Sequence, residues 1–192
     1  MLVLLVGDFH IPHRAVALPL PFQSLLVPGK IHQVLCTGNL TAPHLMDTLR
    51  AICPDVHVVQ GDADLPWIAG GGSGGRRGRA LPIAKTITHG SLRIGLLHGH
   101  TVLPWGDPHA LAMAARRMDV DVLVFGHTHR FEAYEYEGRF FVNPGSATGA
   151  LGGEDPDGDL AAVSNTPSFV LLDIAESGKG TSTMVVYIYQ LV

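Results

Sequence analysis

The chain has 192 residues, with 13 Lys and Arg against 17 Asp and Glu, a net charge of −4 with histidine neutral. That balance excludes a nucleic-acid binder working through clustered basic charge. At 46% hydrophobic and 16% charged, the composition is globular with a slight apolar bias, and the length suits one domain with a sizeable core.

The first element is a buried strand: Leu2 to Val6 is a continuous apolar run that stops at Gly7-Asp8. The start "MLVLLVGD" is too short for a signal peptide and lacks a basic n-region. No apolar run approaches the roughly 18 residues of a spanning helix. "LPFQSLLV" reads as a short helix entered through Pro19 and Pro21. "KIHQVLCTGN" is a second strand ending at glycine. "TAPHLMDTLRAI" is a helix, with Thr41 as the expected N-cap and Pro43 in its first turn. "DVHVVQGD" is a third strand.

Strand, helix, strand, helix, strand predicts a parallel sheet with helical crossovers. Ligands on such sheets gather beyond the carboxyl ends of the strands. Here all three ends carry glycine and a polar residue: "GD", "GN" and "GD".

"AGGGSGGRRGR" (Ala69 to Arg79) is low complexity, because glycine packs nothing and costs the most entropy to order. It reads as a flexible insertion, about 66–80, with a second polar insertion at about 151–166. "PIAKTITHGSLRIGLLHGH" is a hairpin about "HGS". "DPHALAMAARRMD" is a helix capped by Asp107. "VDVLVFGHTHRFEAYEYEGRFFVNPGS" holds three strands, and "SFVLLDI" and "TSTMVVYIYQLV" two more. The second half is therefore strand-rich and expected to be mostly antiparallel, giving two mixed sheets face to face with helices outside.

Cys36 and Cys53 lie in apolar segments without a CxxC and read as reduced core residues of a cytosolic protein, although spacing alone leaves a disulfide open. "NLT" at Asn39 matches a glycosylation sequon that carries little weight in the cytosol. "NPGSATGA" is a turn signal by backbone chemistry and is assigned to structure.

The residues with chemistry follow the strand ends: Asp8 and His10, Asn39, Asp62, His98 and His100, His127 and His129. If those ends converge, one rim gathers imidazoles, carboxylates and an amide. That mixture suits zinc, manganese or iron better than calcium or magnesium.

"GDFH", "GN", "GD", "LHGH" and "FGHTH", in this order and spacing, resemble the calcineurin-like metallophosphoesterases over nearly the whole chain. The resemblance implies a four-layer α/β/β/α sandwich, one metallophosphoesterase-like domain over residues 1–192, and a two-metal site. Carried over by motif, Asp8, His10 and His129 hold one ion and Asp62, His98 and His127 the other, with Asn39 on the bridge.

The chain departs from the family pattern in two places. The bridge is neutral Asn39 where active members place aspartate. Two +2 ions at ~4 Å repel by on the order of 16 kcal/mol at an effective dielectric of ~20, and an amide oxygen offsets this poorly. Ala63 stands where many members have a leaving-group histidine, and alanine supplies no proton. Some small active members also lack that histidine, and His13 or His100 could serve instead. The expectation is no catalytic residues, a divalent metal (Zn or Mn) at weak or partial occupancy, and no physiological hydrolysis. The rival is a working metal-dependent phosphodiesterase.

A narrower resemblance lies in "GDFHIPHRA", "LLVPGKI", "LCTGNLT", "HGHTVLPWGD", "FVNPGSATGA", "PSFVLLDI" and "VYIYQL", which are similar to the small-subunit branch of the retromer coat. It implies a scaffold in endosome-to-Golgi and recycling transport, cytoplasmic and peripheral on endosomal membranes, touching membrane only indirectly. Its implied partners are the α-solenoid subunit, vacuolar protein sorting-associated protein 35, and a Rab GTPase-activating regulator.

Val102, Leu103 and Trp105 sit in a loop beside the rim. From sequence they are either a partner surface or tucked into the core, and the resemblance selects the partner surface for the solenoid, with Leu103 as anchor. On the last strand, alternation puts Tyr187 and Tyr189 on one face and Val186 and Ile188 on the other. The two tyrosines read either as core packing or, with Leu2 and Leu171, as an apolar patch. The resemblance makes that patch a groove for the regulator.

Overall fold

The computed structural model describes residues 1–65, 80–151, 166–177 and 181–191. The Gly/Arg-rich insertion and most of the second insertion lie outside the described residues.

Among the described residues, ten strands form two five-stranded sheets. In the first, β1 (Leu2–Val6), β2 (Gln33–Cys36) and β3 (Val56–Val58) run parallel, and β9 (Ser168–Ser177) and β10 (Thr181–Gln190) extend it antiparallel, in the order β10-β9-β1-β2-β3. In the second, β5 (Leu92–Leu97), β6 (Val122–Val124) and β8 (Arg139–Pro144) run parallel. There β4 (Ala84–His89) and β7 (Phe131–Tyr136) form the antiparallel edges, in the order β4-β5-β6-β8-β7. The antiparallel expectation for the second half holds at the edges and in the β9–β10 pair. The β5–β6–β8 centre is parallel, because α3 (Pro108–Met118) supplies a crossover between β5 and β6.

The unbroken apolar run of β1 follows from burial on both faces. Leu4 and Val6 join α1 (Leu20–Leu25) and α2 (Pro43–Ile52) in one core through Phe22, Leu45 and Leu49. Val3 and Leu5 point the other way, into a core between the sheets with Ile94, Leu96, Val124 and Val170. A third core sets Leu111 and Ala115 of α3 against Leu123 and Phe141. Three cores between four layers are the α/β/β/α sandwich.

Asp107 caps α3 as the sequence predicts, its carboxylate accepting the Ala110 N–H at 2.8 Å. Thr41 does not cap α2. Ala42 is the N-cap, and the Thr41 hydroxyl donates to the Ile11 carbonyl at 2.6 Å, tying the β2 loop to the β1 loop. Pro43 begins the helix, since its missing N–H needs no partner there. Cys36 and Cys53 are both buried and free.

Candidate metal centre

The loops leaving β1, β2, β3, β5 and β6 meet on one rim. Asp8, His10, Asn39, Thr41, His127 and His129 all have positive φ, from 47° to 75°. Non-glycine residues in this region are uncommon and strained, and such strain gathers at functional sites. Only Asp119 and Glu137 share it elsewhere among the described residues. Close approach is built in by glycine. A Cβ on Gly7 would fall 1.8 Å from the Thr37 hydroxyl, and one on Gly61 2.1 Å from the Asn39 amide oxygen.

Two ligand groups result. Donor atoms of Asp8, His10 and His129, all buried, lie within 4.8 Å of one another, and so do those of Asp62, His98 and His100. In the first group the two imidazole Nε2 atoms are 3.1 Å apart and stand 3.9 and 3.6 Å from Asp8 Oδ1. Tetrahedral ligands held at 2.0–2.2 Å are separated by roughly 3.3–3.6 Å, and the observed 3.1–3.9 Å brackets that range, so shifts of a few tenths of an ångström would seat a divalent cation.

The hydrogen bonds behind the rings agree with that fit. His129 Nδ1 donates to the Ala150 carbonyl at 2.7 Å and His98 Nδ1 to the Thr37 carbonyl at 2.8 Å. Each leaves Nε2 facing the rim, the arrangement a metal-ligating histidine needs. Burial lowers the His10 pKa to about 4, helped by His129, so that ring is neutral at pH 7 and its lone pair is available.

The second group carries more charge. His98 Nε2 lies 2.8 Å from Asp62 Oδ1, with His127 Nδ1 at 3.6 Å from the same oxygen. Hydrogen bonding to His127 and to His98 holds the Asp62 carboxyl far below the usual range; the His98 contact is the closer one. Burial alone would lower the His98 pKa, but the bond to Asp62 and the charge of Asp8 override it and raise it. With Nδ1–H committed to Thr37, His98 Nε2 meets Asp62 favourably when it carries a proton or shares a cation. His100, whose Nδ1 is buried without a partner, is lowered by burial and by His98. The triad with mutually close donor atoms therefore contains His100, while His127 stands one step further out.

Asn39 occupies the place between the groups. Its Nδ2 is 3.3 Å from Asp8 Oδ1, 2.9 Å from Asp62 Oδ1, 3.2 Å from His10 Nε2 and 3.1 Å from His98 Nε2. Its amide oxygen accepts the Ala63 N–H at 2.9 Å, which fixes which end faces inward. The chain thus places a neutral donor, not an anionic oxygen, between its two ligand groups. Asn39 is 1% exposed, so its sequon is inaccessible.

Supporting residues complete the rim. Asp8 Oδ2 accepts the His127 N–H at 3.1 Å. Ser146 donates to the Asp8 carbonyl at 2.7 Å and Thr148 to the Phe9 carbonyl at 2.9 Å, so "NPGSATGA" is a strap behind the first ligand loop. Asp64 falls outside the strand-end pattern, and its signal in the sequence is a second aspartate two residues beyond Asp62.

Beside the rim, Val102 packs into the third core while Leu103 (69%) and Trp105 (57%) are exposed. The sequence alternatives divide along the loop, with its first residue tucked in and the next apolar pair outside. Trp105 Nε1 donates to the His100 carbonyl at 3.2 Å, tying the loop to the ligand turn.

On the first sheet, register puts Leu2, Leu171, Tyr187 and Tyr189 on one face, with Tyr187 opposite Leu171. Tyr189 stacks on Phe169 at 4.7 Å, and Tyr187 is half exposed. A separate apolar cavity of about 370 Å³ lies among Ile11, Leu18, Leu26, Leu45 and Ile52, and none of the ligand residues lines it.

Residues 1–176 match the model of the calcineurin-like phosphoesterase superfamily domain. The chain is similar to vacuolar protein sorting-associated protein 29 of Schizosaccharomyces pombe, at 44% identity over 191 residues covering 100% of this chain and 91% of that protein. It resembles wild-type Vps29 of Entamoeba histolytica solved with Zn²⁺, with a TM-score of 0.76 and 41% identity over 98% of this chain and 99% of that one. It also resembles Chaetomium thermophilum Vps29 solved with the cyclic peptide RT-D3, with a TM-score of 0.70 and 38% identity over 98% and 95% of the two chains.

Proposed function

This chain belongs to the calcineurin-like phosphoesterase superfamily and, within it, to the vacuolar protein sorting-associated protein 29 family, and from that premise we propose that it is the non-catalytic scaffold subunit of the retromer coat. In this reading the chain works as one domain with two contact faces. The rim face, through Leu103 and Trp105 with Val102 packed beneath them, receives the α-solenoid subunit, vacuolar protein sorting-associated protein 35. The sheet face around Leu2, Leu171, Tyr187 and Tyr189 receives a Rab GTPase-activating regulator. The protein is cytoplasmic and reaches endosomal membranes through the coat; no helix among the described residues is long and apolar enough to cross a membrane.

The observation that carries this reading is the exposed Leu103–Trp105 pair beside the ligand rim. Large apolar side chains at the mouth of a polar pocket suit a partner that covers the pocket. The cyclic-peptide complex of the Chaetomium relative supports peptide recognition by this fold. Leu103→Asp tests the assignment with purified solenoid subunit. Loss of binding with an unchanged melting temperature supports it, and full retention refutes it.

Asp8, His10 and His129 would hold one divalent cation, and Asp62, His98 and His127 a second, with Asn39 between them. The zinc complex of the Entamoeba relative supports Zn²⁺ as an occupant. When bound, such a cation polarises a phosphoryl oxygen and lowers the pKa of water. Against turnover stand the neutral Asn39 bridge and Ala63, which offers only its backbone N–H, already given to Asn39.

The second reading is a metal-dependent phosphodiesterase, favoured by the convergence of both ligand groups. Manganese-dependent hydrolysis of an aryl phosphodiester that disappears in His98→Ala would establish it.

A further inference from the structure

Asp64 is 6% exposed, and among the described residues no Lys or Arg forms an ion pair with it. A carboxylate in that position needs compensation, and three backbone N–H groups provide it. Oδ2 accepts from Asn39 N at 2.8 Å and from Gly61 N at 2.9 Å, and Oδ1 accepts from Thr41 N at 3.1 Å. Asn39 and Thr41, which belong to the loop after β2, both hold left-handed backbone, with φ of 54° and 61°. Gly61 belongs to the loop after β3. One side chain therefore ties together the two loops that carry Asn39 and Asp62, and holds two strained residues in place.

The role demands an acceptor-only group. An asparagine in its place offers one oxygen for three donors and turns an NH₂ toward an N–H. The fit between the loops is close: a Cβ on Gly61 would meet Asn39 N at 2.6 Å, and one on Gly38 would meet Gly61 N at 2.6 Å. The loops have no slack, so a shift of either moves Asn39 relative to Asp62.

We propose that Asp64 is a positioning residue, which accepts the backbone N–H groups of Asn39, Thr41 and Gly61 and so fixes Asn39 between the two ligand groups and sets the affinity of the Asp62–His98 group for a divalent cation. The consequence for the cation rests on the metal-site reading above; the loop-fixing role does not. Asp64 belongs to neither ligand group, and it acts through the backbone of Asn39, Thr41 and Gly61.

Two measurements on the full chain separate the claims. In the wild type, long-range amide-to-carbonyl NMR correlations should link the Asn39, Thr41 and Gly61 amides to the Asp64 carboxyl carbon. In Asp64→Asn those amides should move upfield and exchange at least tenfold faster. Absence of the wild-type correlations overturns the loop-fixing role, whether or not the variant folds.

The second measurement is a Co²⁺ titration that follows the hyperfine-shifted ring signals of His98 and His129. Asp64→Asn should weaken the His98 step at least tenfold and leave the His129 step within twofold. Parallel weakening of both steps, the mark of general loosening, overturns the positioning role, and so does no change in either. A wild type that takes up no Co²⁺ sinks the cation consequence and the metal-site reading together, and the amide correlations then still decide the loop claim.

Discussion

The indole of Trp105 stands edge-on to the imidazole of His127, with ring centroids 4.5 Å apart and planes at 76°. A half-exposed apolar side chain is thereby held against the rim histidine that stands just outside the Asp62–His98–His100 group, so a partner seated on Trp105 would lie over the ligand groups. Edge-to-face packing fixes the indole without burying it, which limits the entropy a partner loses on ordering it. Trp105→Ala should cost roughly 2 kcal/mol or more in binding the solenoid subunit, as central aromatic anchors do. It should change folding stability by no more than about 0.5 kcal/mol, as exposed substitutions do. Calorimetric titration paired with a melting curve measures both. Binding unchanged from wild type would remove Trp105 from the interface.

Asn39→Asp tests the bridge. The Asn39 NH₂ stands between Asp8 and Asp62, and a carboxylate there places three anions together. Without added cation the variant should be destabilised by roughly 1–3 kcal/mol, the range for a buried donor exchanged for an unmatched acceptor. The retained oxygen still accepts the Ala63 N–H, so the loop keeps its anchor. Zn²⁺ should restore the loss and raise the melting temperature with rising concentration, because the ion binds only the folded chain. Chemical denaturation with and without Zn²⁺ reads the effect. Equal Zn²⁺ affinity in variant and wild type would contradict the bridging argument.

The strand pattern makes this geometry legible in the sequence, because a ligand residue after an apolar run needs only the strand's direction to be placed. Asp8, His98 and His129 are of that kind. Where the sequence fell short, the cause was the backbone. Thr41 has the composition of a cap, but the β1 loop takes its hydroxyl through Ile11, a contact 30 residues away in sequence. The direction of the Asn39 amide depends on the Ala63 N–H, which no side-chain pattern encodes. Asp64 was hidden for the same reason, since its partners are main-chain N–H groups on two loops. Leu103 and Val102 are neighbours of similar type, and only packing against α3 and its strands separates the partly buried one from the exposed one.

Gly61→Ala probes the close approach directly. The added methyl would meet the Asn39 side-chain oxygen at 2.1 Å and the Asn39 backbone nitrogen at 2.6 Å, so Asn39 or the β3 loop must move. Overpacking of this kind costs roughly 1–3 kcal/mol. Because the backbone itself is in the way, repacking of a flexible side chain does not relieve it. The variant should lose stability in denaturant and bind Zn²⁺ more weakly through the Asp62–His98 group. Wild-type stability in the variant would show that the loop has slack.

The open edge between the two sheets carries a hydrogen-bond relay whose histidine, His57, contributes a pH dependence of known sign. Lys85 on β4 donates to His57 Nδ1 on β3, and His57 Nε2 donates to Asp55 Oδ1 at 3.0 Å. His89 on β4 donates to Gln33 at 2.9 Å, and Gln33 donates to Asp55 Oδ2 at 2.6 Å. Both chains run from the second sheet to one carboxylate on the first. Burial, then the Lys85 charge, lowers the His57 pKa against the pull of Asp55. The unfolded chain therefore binds the His57 proton more readily than the folded one. Stability from this group is present above the unfolded value of about 6.5 and is lost as pH falls through 6.5 toward the lower folded value. His10, lowered to about 4, and His89 and His100, both lowered chiefly by burial, act in the same direction, while His98, raised, acts in the opposite one. The total curve is their sum, so a difference is needed. His57→Gln keeps an acceptor for Lys85 and a donor for Asp55 without titrating. Denaturant stability measured from pH 8 to pH 5 should fall more steeply in the wild type than in this variant. The difference should open below pH 6.5. Parallel curves would mean that His57 does not titrate between the folded and unfolded states as its surroundings require.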